Sequence, residues 1–91
     1  MQSNLPKLFS LLTQREYVIF NLLCEGKSNA EIGVILDRNI NTVNFHVSNI
    51  LKKFNVSNRI EVAVKARKHG LRPSKDKMDT DIKRLFFNEK N

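Results

Sequence analysis

Asn44, Phe45, Ser48 and Lys52 recur three and four residues apart, the spacing that lines side chains along one face of a helix. Amide, hydroxyl and ammonium groups in such a row donate and accept hydrogen bonds toward a polar surface. The base edges of a DNA major groove are such a surface, and that groove is wide enough to admit a helix. Val43, Val47, Ile50, Leu51 and Phe54 fall on the other side, so the same helix has an apolar face to bury. Asn39 is a suitable N-cap, because its amide oxygen can accept the otherwise unpaired N–H of Thr42 and start the helix near Ile40. The stretch from Asn39 to Phe54 reads as a recognition helix.

Other chemistries lack their parts. No nucleophile–base pair, phosphate loop or paired carboxylates are evident, so no catalytic residue, cofactor or small-molecule ligand is expected. His46 has no His, Cys or carboxylate three or four residues away, which argues against a metal site, and His69 reads as a favourable charge at a helix C-terminus. The single cysteine, Cys24, excludes an internal disulfide and a Cys-based metal site, and suits a reducing cytoplasm. Its apolar neighbours raise a thiol pKa, which disfavours a redox role. No signal peptide is apparent, and no apolar run approaches the roughly 20 residues of a membrane span.

The length of 91 residues fits one domain, and 41% apolar residues with three glycines and two prolines indicate an all-α fold. Charge is distributed unevenly. Residues 1–40 hold four basic and four acidic side chains, residues 41–71 six and one, and residues 72–91 six and four. The positive excess therefore sits on the recognition helix and the segment after it, a pattern that fits a nucleic-acid partner.

Several elements must hold that helix. Thr13-Gln14-Arg15-Glu16 is a capping box that starts a first helix, with Tyr17, Phe20, Leu23 and Cys24 as its buried stripe, Val18, Ile19 and Leu22 filling in, and Gly26 ending it. Ser28-Asn29-Ala30-Glu31 repeats the device for a second helix carrying Ile32, Ile35 and Leu36. Gly33 inside that helix costs up to about 1 kcal/mol relative to alanine, a cost that close approach of another helix would justify. Asp37-Arg38 makes the turn into the recognition helix, completing a helix-turn-helix. A fourth helix runs from Arg59 to about His69 and ends at Gly70. Ala63 and Ala66 are small enough to pack against the first helix, while Val62 and Val64 cannot both point inward. That leaves Val64 outward beside Lys65 and Lys68, where it is either an incidentally exposed valine or part of a dimer seam. Residues 1–12 form an arm, 13–71 the domain, and 72–91 a tail. In the tail, 72–77 read as a linker and 79–87 as a short amphipathic helix with Ile82, Leu85 and Phe86 on one side. A helix so short needs the domain or a partner to dock on.

The motifs Leu12-Thr13-Gln14-Arg15-Glu16, Glu25-Gly26-Lys27-Ser28-Asn29-Ala30-Glu31-Ile32, Asn41-Thr42-Val43-Asn44-Phe45-His46-Val47-Ser48-Asn49-Ile50-Leu51-Lys52-Lys53 and Val56-Ser57-Asn58-Arg59 resemble, in order, the LuxR-type (GerE-like) helix-turn-helix domain. The resemblance covers about residues 11–71. It implies a four-helix DNA-binding domain acting as a dimer on two-fold symmetric promoter sites, with the third helix reading the groove and the fourth pairing the protomers. It implies base contacts from Asn44, Phe45 and Ser48, and backbone contacts from Lys27, Ser28, Asn29, Thr42, Lys52 and Lys53. It also implies an internal ion pair between Glu16 and Arg59. Asn44 stands where lysine is more usual, and its amide can pair with adenine N6 and N7. Asp37-Arg38 replaces apolar residues, which predicts a more solvated and less tightly packed turn. Asn44-Phe45-His46 resembles the quorum-sensing branch. Most family members carry a further N-terminal ligand-binding or receiver domain, so the chain is expected to be a short stand-alone regulator or the C-terminal part of a longer one. The resulting expectation is a bacterial, cytoplasmic, homodimeric reader of double-stranded DNA, with RNA polymerase or another regulator as a further partner. The rival expectation is a protein-interaction module of the same fold that titrates another regulator.

Overall fold

A computed structural model describes residues 11–68 and 75–87. They form α1 (Gln14–Cys24), α2 (Asn29–Leu36), α3 (Ile40–Phe54), α4 (Arg59–Lys68) and α5 (Lys75–Ile82), the last continuing into a wider π-helical turn, Lys83–Phe87. No strand occurs among the described residues, and the all-α expectation holds. The arm at 1–10, His69 and Gly70 lie outside them.

Both capping boxes form. Thr13 Oγ1 accepts the N–H of Glu16 at 3.1 Å and Glu16 Oε1 accepts the N–H of Thr13 at 3.0 Å. Ser28 and Glu31 repeat the exchange at 3.1 and 2.8 Å. These satisfy amides that the first helical turn leaves unpaired. Asn39 caps α3 one residue earlier than expected, its Oδ1 accepting from Asn41 N at 2.7 Å, while Thr42 N–H donates to the Asn39 carbonyl. Gly26 adopts a φ of +88° after α1. Asp37 and Asn55 take left-handed conformations at the ends of α2 and α3, with φ of 55° and 56°, where a short polar side chain tolerates a backbone most residues avoid.

The core is built around α1, which buries Val18, Ile19, Phe20, Leu22 and Leu23 and so faces neighbours on most of its circumference. Phe20 stacks on Phe54 at 5.3 Å between ring centroids, fixing the end of α3 against the middle of α1. Val43, Val47 and Ile50 of α3, Ile32 and Leu36 of α2, and Val62 and Ala66 of α4 complete the cluster. Asn21 is buried at 1% exposure, and neither of its amide atoms finds a partner among the described residues. An unpaired buried amide costs roughly 1–3 kcal/mol. Asn21→Leu, close in shape and free of that cost, should therefore raise stability by about 1 kcal/mol in urea melts. A loss of stability would show that a polar partner is being served.

Two expectations are corrected by the packing. Glu16 and Arg59 do not pair. Glu16 sits in the first turn of α1, whereas Arg59 lies past the other end of that helix and bonds the Lys27 carbonyl and Asn29 Oδ1, both at 2.6 Å. The 11 residues of α1 hold those places about 16 Å apart. Glu16 instead takes Lys53 Nζ at 2.6 Å, because the end of α3 returns to the start of α1. The linker expectation at 72–77 also fails over 75–77, which belong to α5. The helix starts one turn ahead of Met78, which is buried at 4%.

The tail docks on the domain itself. Phe86 is buried and lines the same cavity as Ile19, Leu36 and Val43, with the guanidinium groups of Arg15 and Arg38 at 5.6 and 5.3 Å from its ring centre. Arg15 also donates to the Leu85 carbonyl at 3.0 Å, and Arg84 to Gln14 Oε1 at 3.3 Å. A cation over an aromatic face adds attraction beyond the buried area.

Candidate nucleic-acid interface

The helix-turn-helix geometry starts from a close approach. A Cβ added at Gly33 would lie 2.9 Å from the carbonyl oxygen of Arg38, so α2 meets the backbone of the turn itself. Helix approach is the lesser part, with Val43 Cγ2 at 3.9 Å and Ile40 Cα at 4.0 Å. Asp37 and Arg38 are exposed, in keeping with a solvated turn, but the turn is not loosely packed as expected: the Arg38 carbonyl presses on Gly33 and its guanidinium lies over Phe86.

On α3 the side chains of Asn44, Phe45, Ser48 and Lys52 are exposed while Val43, Val47, Ile50 and Phe54 are buried, so the polar row does face outward. Phe45 is 63% exposed and meets the His46 ring edge-on at 5.7 Å. Thr42 is exposed one turn before Phe45 and His46. His46 is half-buried, and its Nδ1 lacks a partner among the described residues. No group of three or more His, Cys, Asp or Glu side chains suited to a metal occurs among the described residues.

The residues expected at the DNA backbone divide into two sets. Lys52 projects freely from α3, and Ser28 lies exposed at the start of α2. There the Glu31 carboxylate already accepts the Ser28 N–H, which leaves the amides of Asn29 and Ala30 to meet an anion. That same hydrogen bond, chiefly, keeps the Glu31 pKa below its ordinary value. Lys27 is half-buried, its carbonyl held by Arg59. Lys53 is turned inward onto Glu16 and the Leu11 carbonyl, at 2.6 and 2.8 Å, so its ammonium is already paired. Asn29 is committed on both sides, its Oδ1 accepting from Arg59 and its Nδ2 donating to Asn44 Oδ1 at 2.7 Å. Sequence reasoning named all three residues without seeing this link, because the contact crosses from α4 through α2 to α3.

On α4, Val64 is 53% exposed and Val62 fully buried, which resolves the competition between them as expected. Ile60, four residues earlier, is 70% exposed and extends the outward apolar row; helical spacing from Val64 was the signal that could have found it. Lys68 is exposed beside that row, whereas Lys65 is half-buried and donates to the Phe54 carbonyl at 2.9 Å, closing the end of α3. Burial pushes the Cys24 thiol up to about 11, opposed by Arg67 and assisted by Glu25, so it stays protonated near neutrality. No helix of the described residues is long and apolar enough to cross a membrane.

Comparison with known proteins agrees with this geometry. The family described as bacterial regulatory proteins, luxR family, matches residues 10–66. Transcriptional regulatory protein LiaR of Bacillus subtilis is 48% identical over 60 residues, covering 66% of this chain and 28% of that protein. Response regulator protein VraR of Staphylococcus aureus is 42% identical over 65 residues, covering 71% of this chain and 31% of that protein. The chain thus spans under a third of the length of these curated relatives. Neither carries a quorum-sensing name, so the cue drawn from Asn44-Phe45-His46 does not hold for the relatives found. With an exposed polar row on α3, a turn closed by Gly33 and a matching family pattern from residue 10 to 66, the chain belongs to the LuxR family of bacterial regulatory proteins.

Proposed function

We propose that this chain is the DNA-reading part of a transcription regulator of the response-regulator kind, binding a two-fold symmetric site in double-stranded DNA as a homodimer. The observation that carries the reading is the row of Asn44, Phe45, Ser48 and Lys52, exposed on a helix whose other face is locked into the core. Asn44, Phe45 and Ser48 meet base edges; Lys52, Thr42, Lys27, Ser28 and the Asn29 amide meet phosphates. Ile60 and Val64 form the apolar centre of the protomer seam, with Lys68 at its rim. Half-sites then lie about one helical turn apart. The place of action is the bacterial cytoplasm, and RNA polymerase or another regulator is the further partner at a promoter. The response-regulator assignment rests on VraR.

The rival, a module that titrates another regulator, binds its partner through the 79–87 segment and the fourth helix, whose Ile60 and Val64 are exposed. The 79–87 segment already buries Phe86 in the core, which removes one of those two surfaces and favours the DNA-reading proposal to that extent.

Selection of bound sites from a random duplex library at near-physiological salt tests the reading. An enriched inverted repeat is expected, and salt-sensitive binding without enrichment would overturn it. Asn44→Ala is expected to cost about 1 kcal/mol at one base pair and to relax preference there, the low end for a base-edge contact because one side of the amide is held by Asn29. Equal loss on every sequence would remove Asn44 from the reading surface.

A further inference from the structure

Three side chains from three helices are joined in line. Arg59 Nη1 donates to Asn29 Oδ1 at 2.6 Å, and Asn29 Nδ2 donates to Asn44 Oδ1 at 2.7 Å. The second arm of Arg59 is fixed on the Lys27 carbonyl at 2.6 Å, so the guanidinium cannot swing away without losing both bonds. A guanidinium has donors and no acceptor. The oxygen of Asn29 must therefore face Arg59 and its NH2 must face Asn44, which in turn must offer its oxygen. Only one orientation of both amides satisfies the chain. The Nδ2 of Asn44 is left at the exposed end, with no partner among the described residues.

We propose that Asn29 and Arg59 are specificity-determining positioning residues, which fix the polarity of Asn44 so that it approaches the base pair as a hydrogen-bond donor. The inference rests on the DNA-reading proposal for α3. An unconstrained asparagine pairs with adenine by donating to N7 and accepting from N6. Here the oxygen is held back on Asn29 and the NH2 leads, so the favoured partner is the base edge richest in acceptors, guanine with N7 and O6. The relay replaces the adenine preference expected from the sequence with guanine. Arg59 touches no base itself; it acts through Asn29, and Asn29 through Asn44.

Asn29→Asp should invert the reading. The introduced carboxylate still accepts from Arg59, but it offers Asn44 an acceptor in place of a donor. The Asn44 amide then turns over, its NH2 inward and its oxygen outward, and the position takes a base that donates, adenine through N6 or cytosine through N4. The variant should fold, because an acidic residue in the first turn of α2 interacts favourably with the helix dipole and gains an ion pair with Arg59. An added negative charge weakens binding to every sequence, so the readout is base preference, not affinity.

The experiment is site selection from a random duplex library with the 91-residue chain as wild type, Asn44→Ala, Asn29→Asp and Asn29→Ala. Asn44→Ala identifies the base pair, as the position whose enrichment it abolishes. Wild type should select guanine there. Asn29→Asp should shift the guanine-to-adenine ratio at that position by about tenfold toward adenine, and leave the rest of the motif in place. Asn29→Ala, which frees the amide to rotate, should bring guanine and adenine to near parity. Retention of the wild-type base by both Asn29 variants would overturn the relay and leave the DNA-reading proposal standing. Absence of any enriched motif for wild type would overturn both.

Discussion

Lys53→Met is expected to lower the unfolding free energy by about 2–3 kcal/mol at neutral pH, while Lys52→Ala changes stability by less than about 0.5 kcal/mol and weakens DNA binding instead. The neighbours differ because helix rotation sends Lys52 outward and Lys53 onto Glu16, whose side chain is only 5% exposed. Removing one partner of a buried pair costs about 3–5 kcal/mol; the 32% exposure of Lys53 lets water screen part of that, hence the lower figure. The deficit carries a pH signature. Burial alone would raise the Glu16 pKa, but the Lys53 hydrogen bond, the Thr13 N–H and the Lys53 charge together bring it below its ordinary 4.5. A depressed native pKa means that the unfolded state takes up the proton first. The stabilisation is therefore complete above about pH 4.5 and fades as pH falls through the lowered native value. In Lys53→Met the buried carboxylate has lost its cation, and protonation relieves it. Urea melts should thus show a large gap between wild type and variant at pH 7 that narrows as the pH falls toward and through 4.5. An unchanged gap would mean that Lys53 stabilises by packing its stem and not by its charge.

Gly33→Ala should destabilise the domain by about 2 kcal/mol, opposite in sign to the gain of up to about 1 kcal/mol that the exchange brings inside an ordinary helix. The new methyl would sit 2.9 Å from the Arg38 carbonyl, a backbone atom that cannot rotate aside. Either the turn opens or α3 tilts. Both outcomes move Asn44 and Ser48 relative to Lys27 and Ser28, so affinity for a selected site should fall with stability. Parallel urea melts and binding titrations at fixed salt check this. A variant as stable as wild type, with unchanged affinity, would show that the turn has slack the structure does not suggest.

Local signals were legible in the sequence wherever one or two turns of chain decide the outcome. Both capping boxes, the polar and apolar faces of α3, and the outward turn of Val64 depend on spacing within a single helix, and all took the expected form. What spacing could not supply was the partner of each long polar side chain. Glu16 selects Lys53 over Arg59, and Asn29 links Arg59 to Asn44, because helices distant in sequence set those distances. In the sequence Arg38 reads as a turn residue, since nothing local reveals that Phe86 lies against it. The tail was visible as an amphipathic segment, but its docking place was not, because an apolar stripe specifies a need for cover without specifying the cover.

The clasp between the tail and α1 also bears on the order in which the chain assembles. Arg15 and Leu85 are 70 residues apart, whereas the turns that join α1 to α2 and α2 to α3 close over a handful of residues. A contact that must close so long a loop carries a larger entropic cost before it returns any stabilisation, and such contacts form late. The helix-turn-helix unit therefore condenses first and the tail seals it afterwards. Weakening the seal at Phe86 should accelerate unfolding and leave the refolding rate nearly untouched, a pattern that stopped-flow chevrons resolve directly.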